Sequence, residues 1–164
     1  MDRTIYNEDH DSFRKSVRTF VQRTLEPGYS SFVDNKEIAR DVWLEAGRND
    51  LLGLDVPEEF GGVDAGDYRF NAVLGEELAH ASMAFNSCFQ MHYDVTLPYI
   101  VKYGTAEQKK RWLPRACAGE IISTVAMTEP SGGSDLAALR TGAVPSGTDW
   151  LLNGSKTFIT NGYM

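Results

Sequence analysis

The chain has 164 residues, 42% of them hydrophobic and 24% charged, the composition of one ordinary folded domain or two small ones. A formal net charge of -7 argues against a nucleic-acid partner, which calls for a basic face, and equally against anionic membranes. No apolar run approaches the ~20 residues of a membrane span, and Met1-Asp2-Arg3-Thr4-Ile5 lacks the basic-then-apolar pattern of a secretory signal. An Arg-rich, acid-poor transit peptide is absent too, with Glu8, Asp9 and Asp11 coming early. Cys88 and Cys117 have no Cys-x-x-Cys partner, and His10, His80 and His92 show no ligand spacing with them, so no metal site is expected. Both thiols read as reduced, buried small residues of a cytoplasmic protein.

In chain order, Asn7 to Leu25 puts Phe13, Val17, Phe20, Val21 and Thr24 on one stripe, an amphipathic helix that Pro27-Gly28 stops. Asp34 with Glu37 has the capping-box spacing and opens a second helix with Ile38, Val42, Trp43 and Ala46 inward. Leu51 to Gly66, rich in Gly and holding Pro57, reads as a connector. A third helix after Asp67 turns Phe70, Val73, Leu74, Leu78 and Ala81 inward. Its Glu76 and Glu77 diverge by about 100° around the helix and read as structural or surface groups, not an acid–base pair. A fourth helix, Ser87 to Tyr103, carries Phe89, Tyr93, Leu97, Ile100 and Val101 inward, is kinked by Pro98 and ends at Gly104. Thr105 and Gln108 then form the capping box of a helix bearing Trp112 and Leu113.

From Ile121 the period changes. Ile121 to Thr128 is strand-like and leads into Pro130-Ser131-Gly132-Gly133-Ser134, whose glycines admit close backbone approach and whose hydroxyls add donors and acceptors. Such a loop suits an anion or forms a plain turn. Thr141 to Val144 reads as a strand, Pro145-Ser146-Gly147 as a turn, and Trp150 to Asn153 and Ser155 to Thr160 as strands around a hairpin at Asn153-Gly154. The fold class is α+β: an all-α part of about five helices over residues 1–120, then the start of an antiparallel, barrel-like β domain over 121–164, truncated.

Ala126-Met127-Thr128-Glu129-Pro130 with Gly133-Ser134-Asp135 resembles the signature of the acyl-CoA dehydrogenase family, and Trp150 to Gly162 resembles that family's second flavin-contacting strand. The likeness runs back through Pro57-Glu58-Glu59-Phe60-Gly61-Gly62, Gly75-Glu76-Glu77-Leu78-Ala79 and Tyr103 to Lys109, and is nearest to long-chain and branched-chain members. It implies an FAD enzyme of α,β-dehydrogenation, in which a base takes the α proton of a fatty-acyl-CoA thioester while hydride leaves the β carbon for the flavin. Hydrogen bonds to the thioester oxygen would stabilise the enolate-like charge.

Residue by residue, the resemblance makes Val125, Met127 and Thr128 contacts of the flavin ring, Gly133 and Ser134 contacts of its diphosphate region, and Ser134 a contact of the substrate's pantetheine arm as well. Phe158, Ile159 and Thr160 would pack on the ring, Phe158 with an aromatic face and Thr160 with a hydroxyl. The Leu51 loop and the fourth helix would border the acyl cavity. Val125 stands where many members have an aromatic residue, Ser131-Gly132 where Gly-Ala is commoner, and Phe158 where Trp is frequent.

No residue matches the family's catalytic Glu, which lies in a C-terminal helical bundle beyond Met164, so no catalytic residue is expected here and the isolated chain is expected to be inactive. The resemblance further implies an electron-transferring flavoprotein as electron acceptor and a homo-oligomer, tetramer or dimer, for a full-length protein. Two other readings are a non-catalytic helical interaction module with relict motifs and an acyl-CoA oxidase relative.

Overall fold

The computed structural model describes residues 4–164. Helix α1 (Glu8–Phe20) starts at Asn7, whose side chain accepts the N–H groups of Asp9 and His10, while His10 Nδ1 accepts the Asn7 N–H. The helical path continues through a π-turn (Val21–Leu25) and a 3₁₀ turn (Glu26–Gly28) into α2 (Tyr29–Asn35). The Asp34–Glu37 box does not form. Asp34 lies inside α2, which ends at Lys36 in the left-handed region, and α3 (Arg40–Arg48) opens at Ala39 without a side-chain cap. Its inward residues are nevertheless the expected ones: Ile38, Trp43 and Ala46 are buried and Val42 packs against them.

The Leu51 connector is more than a surface crossing. Leu51, Leu52, Leu54 and Val56 are all buried, because the loop folds its apolar side chains into the helical core while its backbone bonds to itself at Val63→Gly53 and Ala65→Leu54. Helix α4 (Arg69–Ala81) packs on α1 and buries Val73, Leu74 and Leu78. The helix expected from Ser87 to Tyr103 forms as one unbroken helical run that starts earlier and holds a π-turn: α5 (Met83–Gln90), Met91–Thr96 and α6 (Leu97–Tyr103). Pro98 lies two residues past the π-turn's last residue, in the first turn of α6. Thr105 and Gln108 cap α7 (Ala106–Cys117) reciprocally, as their spacing predicts.

Trp43 stacks on Phe89 with ring centroids 4.4 Å apart, at the centre of the main core. A smaller cluster of Val56, Leu97, Leu113, Ala116 and Cys117 joins the Leu51 loop to α6 and α7. After α7 the chain turns at Gly119, whose φ of +73 and contact with the Trp43 carbonyl leave no room for a Cβ.

Beyond Glu120 the β text is realised only in part. Strands β1 (Gly142–Ser146) and β2 (Asp149–Asn153) form one antiparallel hairpin, Pro145 pairing with Trp150, and the turn lies at Gly147-Thr148 because Gly147 takes φ +64. The hairpin expected at Asn153-Gly154 is therefore absent, and Pro145 and Ser146 belong to a strand. Ile121 to Thr128 and Ser155 to Thr160, both expected as strands, carry no ladder. Among the described residues, the one backbone bond between them is Thr157 N–H to Thr128 O, 3.0 Å. Phe158, at φ +56, breaks the second run locally.

Candidate functional site

The two motifs singled out in the sequence lie 20 or more residues apart in the chain and meet in space. Besides the Thr157–Thr128 bond, the Thr124 hydroxyl donates to the Thr160 carbonyl, and Lys156 Nζ donates to the Met127 carbonyl at 2.9 Å. Val125, Thr128, Ile159 and Thr160 are half-buried along this junction, and Met127 is exposed. Phe158 is 95% exposed, with its ring presented outward by the left-handed backbone. Gly133 comes close to Thr128, a Cβ there falling 3.6 Å from Thr128 Cγ2, while Gly132 faces open space. Ser134 is exposed, and its carbonyl accepts the N–H of Leu136. The site thus offers one aromatic face, four hydroxyls (Thr128, Ser131, Ser134, Thr160) and a glycine loop whose backbone is open to approach.

Among the described residues, the side chains of Asn161 and His92 hydrogen-bond between the helical part and this junction. Asn161 Nδ2 donates to the Cys88 carbonyl of α5 at 2.8 Å. His92, fully buried, sets its Nε2 3.1 Å from the Ala116 carbonyl, and its Nδ1 meets the N–H and hydroxyl of Ser123 at 3.0 and 2.8 Å. The carbonyl partner assigns the proton to Nε2 and leaves Nδ1 as acceptor. Burial pushes the His92 pKa down to about 4. A cavity of about 320 Å³ opens between the two parts, walled by Phe32, Ser87 and Cys88 on one side and Ile159, Thr160 and Met164 on the other. Cys88 and Cys117 are free thiols, and burial pushes both pKa values up, that of Cys117 to about 11. Both are therefore poor nucleophiles.

Glu129 and Lys156 lie inside the motifs, yet their residue types alone assign them no task. Glu129 is 5% exposed and its carboxylate accepts from the N–H of Arg140 at 2.7 Å, the N–H of Thr141 at 2.9 Å and Lys156 Nζ at 2.9 Å. The Lys156 ammonium, followed by donors of Thr141 and Arg140, holds this carboxyl well below the usual carboxylate range. Their signal in the sequence is position: an acid directly after Met127-Thr128 and a base two residues before Phe158. Glu77 is the structural one of the two groups expected to be structural or surface. It is buried on α4 and bound by Arg14 and Arg18 of α1 at 2.8 to 3.0 Å, so it is an interior ion-pair residue.

Among the described residues no group of three or more His, Cys, Asp or Glu side chains is placed to hold a metal, and no helix is long and apolar enough to cross a membrane. Residues 7–120 match the family model described as acyl-CoA dehydrogenase, N-terminal domain, and residues 124–164 match the middle domain of the same family. The mouse long-chain specific acyl-CoA dehydrogenase, mitochondrial, is 44% identical over 162 residues, which is 99% of this chain and 37% of that relative. The structure of an acyl-CoA dehydrogenase from Geobacillus kaustophilus superposes with a TM-score of 0.93 at 40% identity, covering 98% of this chain and 42% of that one. A Mycobacterium smegmatis glutaryl-CoA dehydrogenase in complex with FADH2 superposes with a TM-score of 0.88 at 32% identity, over 96% of this chain and 40% of that one.

Proposed function

The chain belongs to the acyl-CoA dehydrogenase family, and we propose that it furnishes the flavin-facing part of an enzyme that dehydrogenates a fatty-acyl-CoA thioester between its α and β carbons. It spans about two fifths of the length of the relatives it matches, so this reading concerns the protein those relatives represent. The observation that carries it is the convergence of Met127-Thr128 with Phe158-Ile159-Thr160 beside a glycine loop, none of the five being fully buried.

The residues fit FAD. Phe158 offers a flat apolar face for the ring system, and Thr128 and Thr160 offer hydroxyls for its polar edge, with Val125, Met127 and Ile159 completing the wall. Gly133 and Ser134 would hold the diphosphate, and Ser134 the pantetheine arm of the substrate as well. When bound, FAD supplies the hydride acceptor for the β carbon. The chain's own residues bind and orient; none of the site residues removes the α proton. The carboxylate at the motif crossing, Glu129, is committed to three donors and held ionised well below neutral pH, the wrong setting for a general base. Our reading of the 164 residues by themselves is accordingly a flavin-binding role without dehydrogenation of acyl-CoA. An electron-transferring flavoprotein as acceptor and a homo-oligomeric assembly follow from the family reading. The two unpaired thiols suit a reducing compartment, the cytoplasm expected from the sequence or the mitochondrial interior named for the mouse relative.

Titration of the chain with FAD, followed by its visible spectrum, tests the reading. A saturable, shifted flavin band is expected, and Phe158→Ala should weaken it by roughly tenfold, the loss of one aromatic stacking contact. Free-flavin behaviour at all concentrations counts against the site. In a longer form of the protein, rapid reoxidation by oxygen would move the assignment to an oxidase, and absence of flavin with a stable fold to an interaction module.

A further inference from the structure

We propose that Glu129 and Lys156 are positioning residues: as one buried ion pair they clamp the Met127-Thr128 segment to the Phe158–Thr160 segment and fix the shape of the glycine loop between them. The inference rests on the flavin reading of these segments and adds how they are held in place.

Three observations carry it. First, the two segments lack a ladder; one backbone bond, Thr157 to Thr128, joins them among the described residues. Side chains must therefore fix their relation, and Lys156 bonds both the Met127 carbonyl and the Glu129 carboxylate, each at 2.9 Å. Second, the Glu129 carboxylate also takes the N–H groups of Arg140 and Thr141, so one group draws together both ends of the exposed stretch 130–139 that contains Gly132, Gly133 and Ser134. Third, the pair is shielded from water: the Glu129 side chain is 4% exposed and that of Lys156 20%. Charge-assisted bonds in such surroundings are strong and directional, and removal of one partner strands the other. The depressed Glu129 pKa agrees with a permanently ionised carboxylate. Neither side chain needs to touch the flavin; each acts through the backbone of the residues that do.

The test uses Lys156→Met, Glu129→Gln and the charge-conserving Lys156→Arg in the whole chain, with FAD as probe and hydrogen exchange of the Thr157 amide as a second readout without flavin. Lys156→Met is expected to bind FAD at least roughly tenfold more weakly. It should also speed Thr157 exchange while the amides of α4 keep their protection, and Lys156→Arg should restore most of both. Wild-type flavin affinity with an unchanged Thr157 rate in Lys156→Met overturns the clamp and leaves the flavin site standing. If the unaltered chain gives no saturable flavin signal, the flavin reading falls, and the Thr157 rate still decides the clamp. Should Lys156→Met lose α4 protection as well, Glu129→Gln, which keeps the side-chain shape, is judged on the same two scales.

Discussion

Glu77 sits on α4 with its carboxylate between Arg14 and Arg18, and Glu76 reaches Arg14 from the neighbouring position at 2.8 Å. The two acids diverge on their own helix, but Arg14 is long enough to bridge them, its guanidinium also lying 5.0 Å from the Tyr6 ring centre. Burial pushes the Glu77 carboxyl up, while Arg18 and then Arg14 pull it down, and the net direction is down. Glu77→Ala removes two of the ion pairs and leaves Arg14 with Glu76 and the Tyr6 ring as partners. Because Arg18 is half exposed and regains water, the expected cost is about 2–3 kcal/mol, below that of orphaning a fully buried charge. Urea unfolding of the variant checks this; a loss under about 0.5 kcal/mol, the size of a surface pair, would show that the network contributes nothing beyond exposed charges. The general exposure of Glu pointed away from this role. The one legible sign was Arg14 and Arg18 at i, i+4, a basic pair on the face of α1 that also presents its apolar stripe.

At the scale of elements, local chemistry was readable and distant pairing was not. The capping box of α7 is made by residues three apart, Gln108 N–H to Thr105 Oγ1 at 3.2 Å and Thr105 N–H to Gln108 Oε1 at 2.9 Å. Thr105→Ala should therefore cost about 1 kcal/mol in thermal or urea unfolding and Thr105→Ser almost nothing, while equal losses for both would assign the effect to the methyl group. The Asp34–Glu37 pair has the same spacing and fails, because the chain is still helical at Asp34 and α3 starts only at Arg40. The stripes of α1 and α4 were legible since helical burial follows the 3.6-residue period. The strands depend on partners elsewhere in the sequence. Ile121 to Thr128 has β composition but, among the described residues, acquires one backbone bond to the Ser155–Thr160 run, and Asn153-Gly154 yields the turn to Gly147. The candidate site divides in the same way. The meeting of its two motif segments agrees with their order in the sequence, whereas the Glu129–Lys156 pair was not legible, because an ion pair is a contact and composition does not reveal contacts.

For the molecule as a whole, the joint between helical and β parts runs through His92, which ties the π-turn of Met91–Thr96 to the end of α7 and to Ser123 at the head of the first motif. A proton on Nδ1 would oppose the Ser123 N–H, and among the described residues the ring's hydrogen-bond partners are Ser123 and the Ala116 carbonyl, with no carboxylate bonded to it to stabilise the cation. Folding therefore holds His92 neutral, with its pKa lowered to about 4 from an ordinary value near 6.5. Between these values the unfolded chain binds more protons, so stability from this group is fully present above about pH 6.5 and declines as pH falls towards 4. By about pH 5 the loss should be near 2 kcal/mol. Glu77 and Glu129, whose pKa values are depressed, lose their contributions as pH falls from the ordinary carboxylate range downward, so the interval from about 5 to 6.5 lies above theirs, and the difference between the native chain and a His92 variant there reports the histidine. Urea unfolding across that interval should slope in the native chain and run flatter in His92→Asn, which keeps a polar group at the joint but cannot titrate. A native chain with level stability from pH 6.5 to about 5 would mean that His92 can protonate without breaking its bonds, and that the joint between the two parts rests on Asn161 and the apolar packing instead.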